Sequence, residues 1–362
     1  MAFDLDHFLA HHRHVLPGED INKLFATPER NRTLMEMPDN LPDNLLEIIQ
    51  NTLAEVEFNR YPRADDIDLE SQIANWLELP VDSAVLLGNG GFPLIEQVMQ
   101  CYGANRRVLL LDPDFFMYRV AASKYEAVVE SHRLENDFSI GLERLLDKID
   151  KLQPELIVLS NPHNPTSRLF DVNTIKAILT HAPGLVLIDE VYSAFADVPN
   201  ALLPLLVTHP NLLLLRSFSK IGAAAIRLGF LLANQEVIDI LRHWQVPFPV
   251  NTLSMMIGSL IIEHYNEIKS SIEQVVDQRR WMTEQLRRHS ALTVYDSSTN
   301  FVVSRLNEQD SRGVVEKLTQ QGVPAIRYQG NPLLENCVRF IIADAKNNQL
   351  TTSCVASICL QD

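Results

Sequence analysis

The stretch "LLLLRSFSKIGAAAIRLGFLLA", residues 212–233, sets a lysine, two arginines and two serines among apolar and small residues. LLLLRSF (212–218) and RLGFLLA (227–233) read as strands whose apolar parts do not alternate, the pattern of strands covered on both faces. A charged side chain there needs a reason, because burying an unpaired ammonium is costly. Desolvation also lowers the pKa of a lysine, which is the condition for a nucleophilic or Schiff-base amine. Lys220, with Arg227 beyond it, therefore reads as a site in an otherwise apolar sheet.

Outward from this stretch the same texture recurs. VLLG (85–88), RVLLL (107–111), AVVES (127–131), LIVLS (156–160) and LVLID (185–189) read as further strands. FPLIEQVMQCYG (92–103), SIGLERLLDKIDKL (139–152) and DVNTIKAILTHA (171–182) carry helical periodicity between them. Alternation of this kind predicts an α/β fold with a mostly parallel seven-stranded sheet between helices. From Leu253 to Arg288 one long helical stretch is expected, followed by strand-like LTVY (292–295) and NFVVSRL (300–306), a helix near 311–321 and a strand near VRFII (338–342). The expected division is an N-terminal arm over 1–45, a large domain over 46–252 and a smaller α+β domain over 253–362.

Composition narrows the function. The 362 residues are 46% hydrophobic and 21% charged, enough to bury a large core, and the net charge of −15 argues against nucleic acid or an anionic membrane as partner. Four scattered cysteines without a CxxC pair fit a reduced, cytoplasmic protein and no zinc site. No apolar run is long enough to span a bilayer. His7, His11, His12 and His14 are read as a solvated N-terminal helix without a metal.

In α/β sheets ligands bind beyond the carboxyl ends of the strands, so the residues after each strand matter most. Gly88-Asn89-Gly90-Gly91 opens a helix and is either a plain turn or a phosphate cradle. Phe115, in Asp112-Pro113-Asp114-Phe115-Phe116, is either core or a platform for a ring. Asn161-Pro162-His163-Asn164-Pro165-Thr166 is a fixed turn that holds Asn164 as a donor. Asp189, ahead of Glu190 and Tyr192, ends an apolar strand and must find a cation or an N–H. Together with Ser217, Ser219, Lys220 and Arg227, these groups are what pyridoxal 5′-phosphate (PLP) requires: a cradle, a platform, an acid for the ring nitrogen and a lysine for the aldehyde.

On these motifs, and on VPFPVN (246–251), TNFVV (299–303) and QGVPAIRYQGNPLLENCVRF (321–340), the chain from about Tyr61 onward resembles the fold-type I PLP enzymes, and among them the histidinol-phosphate aminotransferase family. The resemblance implies that Lys220 carries the cofactor covalently and then moves the proton between the substrate α-carbon and the cofactor. It assigns Asp189 to the ring nitrogen, Tyr192 and Asn164 to the ring hydroxyl, and Phe115 to the ring face. Ser217, Ser219, Arg227 and the Gly90–Gly91 backbone would take the phosphate, with Tyr61 reaching the phosphate of a neighbouring subunit in a homodimer. Arg339 would grip the substrate carboxylate or phosphate, and Arg327 would be a second anion-binding arginine.

The implied reaction moves an amino group between histidinol phosphate and 2-oxoglutarate/glutamate. An aminotransferase of another amino acid, aromatic or specialised, or a PLP decarboxylase of a phosphorylated amino acid are the alternatives. Departures from the family pattern fall in the substrate-facing parts: Met37-Pro38-Asp39-Asn40-Leu41 in the arm, Gly90-Gly91-Phe92-Pro93 in the loop, Phe115 for the usual tyrosine, and Ser167 for a glycine.

Overall fold

The computed structural model describes residues 34–62, 67–307 and 309–359. Two helices, α1 (Asp43–Leu53) and α2 (Leu69–Trp76), precede a sheet of seven strands: β1 (Ser83–Gly88), β2 (Arg107–Asp112), β3 (Val128–Arg133), β4 (Leu156–Ser160), β5 (Leu185–Asp189), β6 (Leu212–Ser217) and β7 (Gly229–Asn234). Their order is β1-β7-β6-β5-β4-β2-β3. Only β7 runs antiparallel to its neighbours, pairing Gly229 with both Gly88 and Ser217. Its reversal brings the start of β7 to the edge where the other strands end, so Arg227 enters at the carboxyl ends of β1 and β6.

Side chains alternate between two apolar layers. Leu86, Val108, Leu110, Val158, Leu187, Leu213 and Leu215 face one layer, whereas Val85, Leu109, Ile157, Ile188, Leu212 and Leu214 face the other. Both faces are covered, which is why these strands read as continuous apolar runs. The expected helix over 92–103 is α-helical from Gly91 to Val98 (α3) and continues as a π turn, Met99–Gly103. A helix that sequence reading left out, α4 (Met117–Lys124), follows β2.

The C-terminal part forms a second sheet of four antiparallel strands, β8 (Leu292–Val294), β9 (Phe301–Leu306), β10 (Ala325–Arg327) and β11 (Cys337–Ile341), in the order β10-β11-β9-β8. The single helix expected over Leu253–Arg288 is two, Thr252–Glu263 and Tyr265–Arg287, broken at His264. Neither glycine nor proline marks that break, so periodicity carries across it. Thr252–Glu263 packs on α1 and α2, whereas Tyr265–Arg287 lies against β8 and β9. Residues expected to form an arm up to 45 already enter α1 at Asp43, behind Pro42. The four N-terminal histidines lie outside the described residues.

Among the described residues no helix is long and apolar enough to cross a membrane, and no group of acids, histidines and cysteines could hold a metal.

Candidate active site

The carboxyl ends of β1, β2, β4, β5 and β6 converge, and the groups that sequence places after those strands meet there. Gly90 caps α3 at φ 91°, a conformation open to glycine. A Cβ on it would stand 2.6 Å from an Arg227 guanidinium nitrogen, so the absent side chain is what lets the guanidinium lie on this backbone. Gly229 serves the same approach, since a Cβ there would meet the Gly90 carbonyl carbon at 2.8 Å. Arg227 donates to Ser219 Oγ at 3.3 Å, and Ser217 Oγ donates to Ser219 Oγ at 2.9 Å. An arginine, two hydroxyls and the free N–H groups at the start of a helix form a cradle for a dianionic phosphate.

Lys220 follows in a short 3-10 turn, Phe218–Lys220. Burial first, and the nearby Arg339 guanidinium second, bring its amine from 10.5 down to about 8, against the pull of Glu36 and Asp189. The ammonium lies 5.7 Å from the centre of the Tyr192 ring and donates to the backbone carbonyl of Leu34 at 2.6 Å. The altered arm therefore lies directly over the lysine. Met35 beside Leu34 is fixed through its carbonyl by Asn300 Nδ2 at 2.8 Å, and Met37 and Leu41 close over Gly222.

Asp189 is buried, and burial raises its carboxyl from 3.8 to about 6. Oδ2 accepts from the Tyr118 hydroxyl at 2.7 Å and Oδ1 from the Val191 N–H at 3.1 Å. Both partners stabilise the carboxylate, and neither neutralises it. The structural salt bridge belongs to the next residue: Glu190 accepts from the Arg216 Nε and Nη2 at 2.9 and 2.8 Å. The two adjacent acids at the end of β5 thus split their tasks, Asp189 facing Tyr118 and Glu190 facing Arg216.

Arg339 on β11 lies between two rings, 5.2 Å from Phe301 and 5.6 Å from Tyr328, and its buried Nε has no partner among the described residues. A guanidinium set against aromatic rings, with no carboxylate partner among the described residues, is suited to an anion brought by a ligand. Arg327 pairs with Val338, one residue out of step with Arg339 and Ile326, and so leaves the opposite face of the strand pair.

Phe115 meets Phe116 and Tyr118 edge-on at 5.5 and 5.4 Å. Asn164 is positioned through its backbone N–H, which donates to Ser160 Oγ at 2.9 Å. Tyr61 stands apart, exposed and stacked on Phe248 at 4.9 Å. Tyr118 escaped sequence reading; three residues after Phe115 and second in α4, it reads as ordinary core.

The cradle, the low-pKa lysine and the buried acid at one sheet edge define an enzyme built around pyridoxal phosphate, and the donor set fits that group. The chain belongs to the family of class I and II aminotransferases, which matches over residues 33–356. It is 30% identical over 316 residues to histidinol-phosphate aminotransferase 2 of Nitrosococcus oceani, covering 87% of each chain. It is 31% identical over 323 residues to the histidinol-phosphate aminotransferase of Chromobacterium violaceum, covering 89% of this chain and 90% of that one. Its fold is similar to the histidinol-phosphate aminotransferase of Clostridium acetobutylicum, with TM-score 0.83 at 23% identity over 90% of this chain and 98% of that one. The enzyme of Sinorhizobium meliloti, solved with pyridoxal 5′-phosphate, aligns at TM-score 0.80 and 21% identity over 93% and 97%.

Proposed function

We propose that this aminotransferase acts on histidinol phosphate, with 2-oxoglutarate/glutamate as the other pair. When bound, pyridoxal phosphate supplies an electron sink for the pair left on the α-carbon as its proton departs. Lys220 would hold the cofactor, and its amine would take the proton that leaves the α-carbon; an amine lowered to about 8 has a neutral fraction at neutral pH. Asp189 keeps a negative charge against the ring nitrogen. Tyr192 and Asn164 face the ring hydroxyl, Phe115 the ring face, and Arg227, Ser217, Ser219 and the Gly90–Gly91 backbone hold the phosphate. Arg339 orients the substrate by its anionic group. Arg327 as a second anion-binding group, and Tyr61 reaching the partner's phosphate in a homodimer, rest on the family resemblance.

The observation that carries this reading is the buried Arg339 guanidinium with an unpaired Nε, which reaches Lys220 through a short chain of ring contacts, Arg339 on Phe301, Phe301 on Tyr192 and Tyr192 on Lys220. Single-turnover mixing of the PLP form with histidinol phosphate, glutamate or an aromatic amino acid tests it. Conversion to the pyridoxamine form by histidinol phosphate and glutamate is expected. Conversion by the aromatic acid alone would replace the substrate, and release of carbon dioxide would replace the reaction.

A further inference from the structure

Behind Asp189 lies a second pair of ionisable side chains that no step above uses. Asp114 and His163 are inside the protein, their side chains 4% and 0% exposed, with Nε2 3.5 Å from Oδ1. That is an ion-pair separation, and neither His163 Nε2 nor Asp114 Oδ2 has a hydrogen-bond partner among the described residues. The imidazole is fixed from its other side by Nδ1 and Thr166 Oγ1 at 2.7 Å, and its ring lies 5.4 Å from Phe170. Asp114 Oδ1 accepts from the Phe115 N–H at 2.8 Å and from Ser160 Oγ at 3.3 Å.

The groups facing Asp189 are Tyr118 from α4, Lys220 beyond β6, Tyr192, and Asp114 beyond β2. The groups facing Asp114 are His163, Tyr118 and Asp189. Two carboxylates are thus packed within one low-dielectric volume, and a negative charge on one favours a proton on the other. If Asp114 were an uncompensated anion, Asp189 would be driven toward its neutral form, which cannot pair with a pyridinium.

We propose that His163 and Asp114 are positioning residues that hold one proton between them, cancel the charge of Asp114, and leave Asp189 the sole anion at the ring-nitrogen position. Neither touches the cofactor; both act through Tyr118 and Asp189. The idea rests on the assignment of Asp189 to the ring nitrogen.

The test follows the Asp189 carboxyl by carbon-13 NMR in the cofactor-free protein, which needs no turnover. In His163→Asn the Asp189 midpoint rises by about one pH unit, as expected when an uncompensated carboxylate stands nearby. PLP affinity falls with it, by about twofold at pH 7 and by nearly tenfold at about pH 5, where the anionic fraction of Asp189 follows its midpoint directly. In the double variant Asp114→Asn/His163→Asn both return to wild-type values, because no charge is left to cancel. An unmoved midpoint in His163→Asn, or a double variant as impaired as the single one, overturns the proposal; a packing defect would give the latter. Should His163→Asn not fold, Asp114→Asn decides alone. With a neutral pair it leaves the Asp189 midpoint within about 0.3 of a pH unit, and a fall of about one unit would show an uncompensated Asp114 and overturn the proposal. Asp189→Asn that keeps full PLP affinity would instead remove the cofactor assignment while the midpoints still report on the pair.

Discussion

An amine that titrates near 8 instead of 10.5 has its neutral, reactive fraction within reach of ordinary buffers. Attachment of pyridoxal phosphate should therefore speed up as pH rises toward about 8 and then level off, read by visible absorbance; Lys220→Ala abolishes that absorbance. Part of the lowering comes from Arg339. Arg339→Ala should move the attachment midpoint upward, and should also raise the KM for glutamate by about one to three orders of magnitude through loss of a charge-assisted pair. A KM change with an unmoved midpoint would separate the two roles. Asp189 works in the opposite sense: its carboxyl, raised to about 6, gains a proton as pH falls, so PLP affinity should drop below that value. Affinity that is flat from pH 7 to pH 5 would exclude an Asp189 charge from cofactor binding.

The elements were legible where the sheet is buried on both faces and opaque where tertiary contact overrides pattern. Strands β1, β2 and β4 to β7 could be placed from apolar runs, because burial leaves little other composition open to them, whereas β3 at the sheet edge is largely exposed and is betrayed only by its β-branched Val128–Val129 pair. The break at His264 carries no turn residue, and α4, Met117–Lys124, is only eight residues long, too short for its periodicity to stand out. Of the site, the residues after each strand could be read in advance, since parallel strands deliver their ends to one edge. Tyr118, the Leu34 carbonyl and the Asp114–His163 pair could not, because each depends on what stands opposite it in space. The approach of β7 to the Gly90 turn makes a paired prediction. Gly229→Ala forces a Cβ to 2.8 Å from backbone and should lower both Tm and PLP affinity. Gly313→Ala, in Ser311–Gln320 with nothing within 4 Å, should stabilise by about 0.5–1 kcal/mol. Equal Tm values for the two would mean that the β1–β7 edge yields to the added atom.

At the scale of the whole molecule, Tyr61 has a position that a single chain does not explain. Its ring is 76% exposed and stacks on Phe248, itself 55% exposed, so two large rings lie in the open with Trp244 and Val246 exposed nearby in sequence. A soluble chain rarely presents such rings together without a use for them. In the proposed homodimer Tyr61 completes the phosphate cradle of the other subunit, and this has a consequence that single variants cannot show. Lys220→Ala and Tyr61→Ala proteins, each impaired alone, are mixed after dissociation and allowed to reassociate. A hybrid dimer then holds one site with an intact Lys220 and an intact Tyr61 from its neighbour, and one site lacking both. Random pairing should restore about a quarter of wild-type activity per subunit if Tyr61→Ala sites are nearly inactive, because half the dimers are hybrid and half their sites are whole. Activity no higher than the average of the two separate variants would place Tyr61 at its own subunit's surface and remove it from the neighbouring site.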